Sequence, residues 1–311
     1  LRLLLGDQLN PQHSWFQQVD AQVVYVLMEV RQETDYVRHH AQKILAIFAA
    51  MRDLAHQLRA AGHRVRYVAL DDASNRQSIS DNLAALAAHY GAQHVQWQQP
   101  DEWRLDAQLQ AWARTSGLHC SVVDSEHFLT ARDDLATQMH GRRQWLMEHF
   151  YRPMRRRYRL LMDADGKPLG GQWNFDHDNR KPWPGTPPEP ADWRPTHDHR
   201  ALWEMLQRCG VQSLGEPQAD AVRWPLSRAE ALECLEAFIA HARQFDPVFL
   251  EYGATRVVEC WGDDVPHGQV TDFFRSVQAR EDETVAFSWV EWPDKATRDA
   301  GMKKLMEDPR M

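Results

Sequence analysis

The segment GGQWNFDHDNRKPW, residues 170–183, sets two tryptophans among carboxylates, amides and two cations, with no helical or strand period. Indole rings beside amides and guanidinium groups suit stacking on bases and contact with phosphates. The same groups also suit internal loop-fixing, with rings as anchors and short polar side chains as caps. Upstream, Arg152, Arg155, Arg156 and Arg159 recur at steps that place them on one side of a helix. Such a face serves either phosphate or plain water. Metal chemistry is poorly supplied. Cys120, Cys209, Cys234 and Cys260 are irregularly spaced with no CxxC pair, and the 16 histidines form no HxxxH constellation of a recognisable metal or nucleophile type. Neither a metal site nor a catalytic residue is expected.

The elements that position these groups follow from periodicity. Residues 1–125 alternate β-type runs with helical patterns: RLLLG (2–6), VVYVLME (23–29), RVRYVAL (64–70), HVQWQQ (94–99) and HCSVVD (119–124). That alternation predicts an α/β fold, a Rossmann-like parallel five-stranded sheet with flanking helices. Between the second and third strands, Val37, His40, Ile44, Ile47, Phe48, Met51, Leu54 and Leu58 mark one long amphipathic helix closed by Gly62. Ligands of such sheets bind at the carboxyl ends of the strands. The segments to watch are therefore GDQLN, MEVRQETDY and QPDEWR. Residues 131–162 read as helical. Residues 163–200, rich in proline, read as a long irregular connection whose tryptophans favour order.

Bulk properties narrow the class. The 311 residues, 43% hydrophobic and 26% charged, suit one large soluble domain or two modest ones. A net charge of -8 argues against a surface devoted wholly to nucleic acid but leaves room for a local basic patch. No apolar run approaches a membrane span, and LRLLLG is too short for a signal peptide, so no membrane partner and a cytoplasmic location are expected. The absence of an initiator methionine suggests residues missing upstream.

LRLLLGDQLN, LMEVRQETDYVRHHAQKI, AMRDLAHQLRAAGHRVRY, RRQWLMEHFYRPMRRRYRLLMD and GGQWNFDHDNRKPWP together resemble the photolyase-related proteins, the bacterial iron-sulfur branch of the photolyase and cryptochrome superfamily. The resemblance runs from residue 1 to about 240. It implies an N-terminal α/β domain that holds an antenna chromophore, dimethyl-ribityllumazine, and a helical domain that binds FAD and the cluster and repairs (6-4) photoproducts in DNA. Carried over, the antenna pocket comprises Asp7, Gln8, Glu29, Glu33, Tyr36 and the backbone around Pro100. His39 points near this pocket and His40 faces the core. A planar heterocycle needs an apolar slot edged by a few polar groups, which Glu29 or Gln8 would supply. Asp7 equally suits a cap or turn after the first strand. Glu29 ends an apolar strand, where an unpaired carboxylate is costly. The resemblance also turns the 170–183 loop toward DNA. Trp173 and Phe175 are then stacking candidates, Asn174, Asp176, Asn179 and Arg180 phosphate contacts, and Arg155 and Arg156 a source of positive potential, with DNA a weak partner.

Past residue 240, FLEYGATRVVECWG and ETVAFSWVEWPDKATRDAGMKKLMED are similar to a family of unknown function with the ferredoxin-like, dimeric α/β-barrel fold. The tail reads as helix, two alternating strands and a helix capped by Asp294, an incomplete ferredoxin-like α+β unit. Three segments follow: 1–130 the antenna domain, 131–240 the helical and loop segment, 241–311 the partial tail. The resemblance puts FAD, the cluster and lesion binding in a part that the tail replaces, so FAD, cluster and repair are expected to be absent and the 170–183 loop to be mobile or packed on something unrelated. The alternatives are a small-molecule binding protein or enzyme that dimerises through its tail, with Trp261, Trp289 and Trp292 lining a pocket or filling a core, and a fusion without selected function.

Overall fold

The strand VVYVLME supplies the centre of the molecule, because every residue of Tyr25–Met28 is buried. A strand apolar on both faces needs a layer on each side, which fixes a three-layer α/β arrangement. The computed structural model describes residues 1–174, 192–261 and 286–306. The chain forms two compact units: Leu1–His127 with Asp192–Ala240, and Phe128–Ala191 with His241–Met311.

In the first unit the strands are β1 (Arg2–Leu3), β2 (Tyr25–Met28), β3 (Val65–Val68), β4 (His94–Gln98) and β5 (His119–Val123). All pair in parallel, in the order β3-β2-β1-β4-β5. The helices are α1 (Arg31–Asp35), α2 (Ala41–Ala60), α3 (Ile79–Tyr90), α4 (Trp103–Thr115) and α7 (Arg200–Arg208), after α5 (Asp134–Met139) and α6 (Met147–Tyr158) of the second unit. One sheet face packs Leu4, Tyr25 and Leu27 against Leu45, Phe48 and Met51 of α2 and Leu202 and Leu206 of α7. The other packs Leu3, Val26 and Trp97 against Leu83 of α3 and Leu109 of α4. Each fully buried aliphatic side chain contributes about 2 kcal/mol of transfer free energy. All five strands lie within the runs read from the sequence, trimmed at their ends.

The helix expected to run from Tyr36 to Gly62 is a correction. A short α1 ends at Asp35, and α2 begins only at Ala41. His40 does not face the core: it is the N-cap, its ring accepting from the Gln42 N–H, while the Ala41 N–H donates to Leu214 O at 2.8 Å. Val37, taken as part of the apolar stripe, is 49% exposed. An imidazole nitrogen satisfies one of the orphan donors that any helix start leaves, so the break at His40 is locally stable.

In the second unit α6 carries Pro153, and Arg159 terminates it in the left-handed region at φ 54°. Arg159 is therefore outside the basic helical face that contains Arg152, Arg155 and Arg156. The segment α8 (Arg228–Glu251) runs through Pro247 as one helix. After it, β6 (Arg256–Trp261) pairs antiparallel with β7 (Ala286–Glu291), and α9 (Lys295–Met306) follows, with the Asp294 carboxylate accepting from Thr297 N at 2.8 Å. Helix, strand, strand and helix thus match the expected order. Trp261 and Trp289 have no described side chains, and Phe175, Asp176, Asn179 and Arg180 lie outside the described residues. Trp292 lies flat over Gly301 of α9. A Cβ on Gly301 would overlap that indole and come within 2.6 Å of Tyr252 O. Gly301→Ala should therefore destabilise the second unit by about 1–3 kcal/mol through overpacking. A thermal melt that leaves this transition unmoved would contradict the packing. Among the described residues no helix is long and apolar enough to cross a membrane.

Candidate functional site

The strand order reverses between β1 and β4: from β1 the chain moves to β2 and β3 on one side, and β4 and β5 complete the other. The loops leaving these two strands diverge there and open a crevice at the carboxyl edge of the sheet. Gln8 fixes its depth. This side chain is 1% exposed, accepts from Leu5 N at 3.2 Å and donates to Gln98 O and Gln99 O at 3.1 and 3.3 Å. Its amide hydrogens are spent joining the two loops, so Gln8 holds the crevice together rather than reaching a ligand.

Asp7 stands at the mouth, open to solvent. Crowding by surrounding protein holds its carboxyl above the usual carboxylate range; Asp101 and Glu102 push the same way, while its own backbone N–H and His127 oppose. His127 Nδ1 lies 3.3 Å from Asp101. An acid with a raised folded pKa binds more protons folded than unfolded between the two values, so stability falls as pH rises through that window and the penalty is full above it. Asp7→Asn should therefore melt higher than the wild type at neutral pH. The gain should fade as pH falls through the raised folded value and be gone below the ordinary Asp value of about 3.9. An equal gain at both pH values would rule out the carboxyl as its source.

A second cluster is organised by one cation. Arg104, in the first turn of α4, donates to Glu33 at 3.1 and 2.8 Å and to Glu102 at 2.8 and 3.0 Å. Its guanidinium also covers the Tyr36 ring, 4.1 Å from the centroid. Tyr36 is 47% exposed, and His39 meets it edge-on at 5.0 Å. Burial, with Lys43 adding to it, lowers the pKa of His39. Pro100 is buried beneath the β4 loop, and the Gln98 Nε2 is buried with no hydrogen-bond partner among the described residues. The cluster thus offers an aromatic face held still by a stacked cation.

Glu29 needs correcting. It is fully buried, and its carboxylate accepts four hydrogen bonds: Arg52 Nε at 2.7 Å, Arg52 Nη2 at 3.0 Å, Tyr67 O–H at 2.5 Å and Leu70 N–H at 2.9 Å. It faces α2 and β3, with no acceptor capacity left for a ligand. The Tyr67 pKa is raised, first by burial and then by Glu29. Of the residues expected at the pocket, Asp7 is exposed, Glu33 and Tyr36 meet at Arg104 and Pro100 is buried, whereas Gln8 and Glu29 are engaged internally. Arg104 and His127 were not anticipated; the charged run in QPDEWR was the available signal.

A separate cluster occupies the second unit. Arg152, Arg155 and Arg156 lie 5.3, 5.3 and 4.6 Å from the Trp173 ring centroid. The Trp173 carbonyl accepts from Tyr151 O–H at 2.8 Å and Arg155 Nη1 at 3.2 Å. Glu148 pairs with Arg152 and accepts from Asn174 at 3.2 Å. Asn174 and Trp173 are thus engaged internally, while Arg156 is exposed and makes no ion pair among the described residues. Three guanidiniums around one indole with one carboxylate leave a net positive, partly aromatic surface.

Residues 2–222 match the sequence profile of the family described as deoxyribodipyrimidine photo-lyase-related protein. The chain belongs to this family. A (6-4) photolyase of Agrobacterium fabrum is 33% identical over 264 residues, which cover 82% of this chain and 49% of that protein. Residues 231–311 of the photolyase-related chain match a second profile, protein of unknown function (DUF1428). The uncharacterized protein YbaA of Escherichia coli K12 is 53% identical over 76 residues, 24% of this chain and 65% of its own length. The photolyase-related chain therefore spans about half the length of the photolyase it resembles. The two profiles leave residues 223–230, just before and at the start of α8, between them.

Proposed function

We propose that this photolyase-related chain is a chromophore-binding module whose switch-point crevice takes a planar heterocycle of the lumazine class. The observation that carries this reading is Tyr36, whose half-exposed ring is backed by Arg104 at 4.1 Å and so offers a rigid stacking face. Asp7 would accept from a ring N–H or a ribityl hydroxyl, and Pro100 would bound the slot below. Glu33 acts through Arg104, positioning Tyr36. Bound there, the heterocycle would supply light absorption. Mixing the purified full chain with dimethyl-ribityllumazine and removing free ligand should leave the chromophore absorption with the protein, near one per chain. Complete loss on desalting would end this reading.

The cluster around Trp173 supports a weak DNA contact, through phosphates rather than bases, because its guanidiniums carry no sequence-reading geometry. Arg155→Gln with Arg156→Gln should lower affinity uniformly across sequences and reduce the salt slope by about one for each charge removed. Unchanged binding in a salt titration would leave the cluster a loop anchor only. Neither FAD nor the iron-sulfur cluster enters this reading, since residues from 231 onward match a different family; a flavin spectrum in the purified chain would overturn that part. A second reading concerns the tail. Among the described residues β6 and β7 pair only with each other, and a two-stranded ribbon is marginal alone. We read it as completed by a second copy, so gel filtration should give a dimer, and a monomer at all concentrations would refute it.

A further inference from the structure

Away from the crevice, on the other margin of the sheet, a cleft of about 340 Å³ opens between α2, the edge strand β3 and α7. Three arginines converge on it, Arg52 and Arg59 from α2 and Arg208 from α7, with Asp71 at the rim and Ala55 and Ala201 on its walls. Their charges are not equally compensated. Arg52 is neutralised by Glu29 through two hydrogen bonds. Arg59 spends Nε and Nη2 on the Val65 carbonyl, at 3.4 and 3.1 Å, which satisfies donors but no charge. Arg208 makes no ion pair among the described residues, and neither does Arg59. With Asp71 counted, the cleft keeps a net positive charge inside a chain of net charge -8.

Helix dipoles account for part of this. Arg59 and Arg208 each occupy the last turn of a helix, where a cation is favourable. The dipole does not account for two such residues, from helices distant in sequence, lining one concavity with a third guanidinium. Arg59 and Arg208 are both exposed, so water and salt screen their mutual repulsion, and an anion held between them would be favoured by both. Guanidinium groups also present paired donors whose spacing matches two oxygens of a phosphate. Ala55, Ala69 and Ala201 give the cleft apolar walls, and the volume is at the small end for organic ligands, large enough for a phosphate with one attached ring system.

We propose that this cleft binds a small phosphate monoester with a planar apolar body, the nucleoside monophosphate class, with Arg59 and Arg208 holding the phosphate and the alanine walls holding the ring. This site is independent of the crevice and of the second unit.

Adenosine monophosphate, adenosine and inorganic phosphate, titrated into the full chain by calorimetry, test it. Adenosine monophosphate should bind saturably, inorganic phosphate at least tenfold more weakly, and adenosine not at all. Arg59→Gln and Arg208→Gln should each weaken the monophosphate about tenfold, in line with loss of a charge-assisted hydrogen bond. Asp71→Asn should tighten it, which a purely structural role for these residues would not do. Thermal melting confirms that each variant is folded. No saturable binding by the wild type, equal binding of adenosine, or unchanged affinity in both arginine variants would overturn the proposal.

Discussion

Glu29→Ala is expected to lower the stability of the first unit by about 3–5 kcal/mol, the range for removing one partner of a buried ion pair. The cause is the number of groups left behind. Arg52 loses its counter-ion, Tyr67 its acceptor, and the buried Leu70 N–H its partner. Each orphaned group carries its own desolvation penalty. Against a total stability of roughly 5–15 kcal/mol for a domain, the loss should move the melting midpoint by about ten degrees or more. Glu29→Gln keeps the shape and one acceptor and should lose less. The double replacement Glu29→Leu with Arg52→Leu removes both charges together and should recover part of the loss, since apolar substitutes for buried pairs are often tolerated. A melting curve of Glu29→Ala within two degrees or so of the wild type would mean that the four hydrogen bonds contribute little net stability.

Arg104→Ala is expected to have the largest effect on ligand retention in the crevice. One guanidinium there neutralises Glu33 and Glu102 and stacks on Tyr36. Without it, Glu33 and Glu102 lose the cation they share, and Tyr36 loses the contact that holds its ring still. Freed rotamers must be ordered again on binding, at about 0.5–1.5 kcal/mol per side chain, and a heterocycle carrying carbonyl acceptors meets two newly unpaired carboxylates. Together these should weaken dimethyl-ribityllumazine about ten- to a hundred-fold, measured by fluorescence titration. Trp103→Ala is the control, because that neighbouring side chain is 83% exposed and should leave affinity unchanged. Equal affinity in Arg104→Ala would detach Tyr36 from the binding face.

The sheet was legible because its strands are short apolar runs between turn-forming residues, as in VVYVLM flanked by charged and polar segments. The crevice was legible as a place, since strand order alone puts it at the β1 and β4 loops. Its chemistry was less so. Whether a carboxylate at a strand end points inward or toward a ligand depends on what meets it, and Arg52 and Tyr67 come from 23 and 38 residues away. Gln8 is the same case, because its partners lie 90 and 91 residues downstream. The break at His40 was invisible to periodicity, since its competing cap and the Leu214 contact are not periodic signals. Arg104 sat in view within QPDEWR, but one arginine among acids does not reveal that it will serve two of them and a ring.

The bond from Gln8 to the carbonyls of Gln98 and Gln99 has a consequence for selectivity. β1 and β4 pair only over Arg2 and Leu3, and beyond that point the strands diverge with no ladder between them. Left open, that gap would admit a chain or a sugar dropping between the strands. The glutamine bars it as a crossbar does a doorway, so a guest can lie along the sill but not enter the room. On the proposed reading, a flat guest would rest over this bar, and any flexible appendage would trail outward into water.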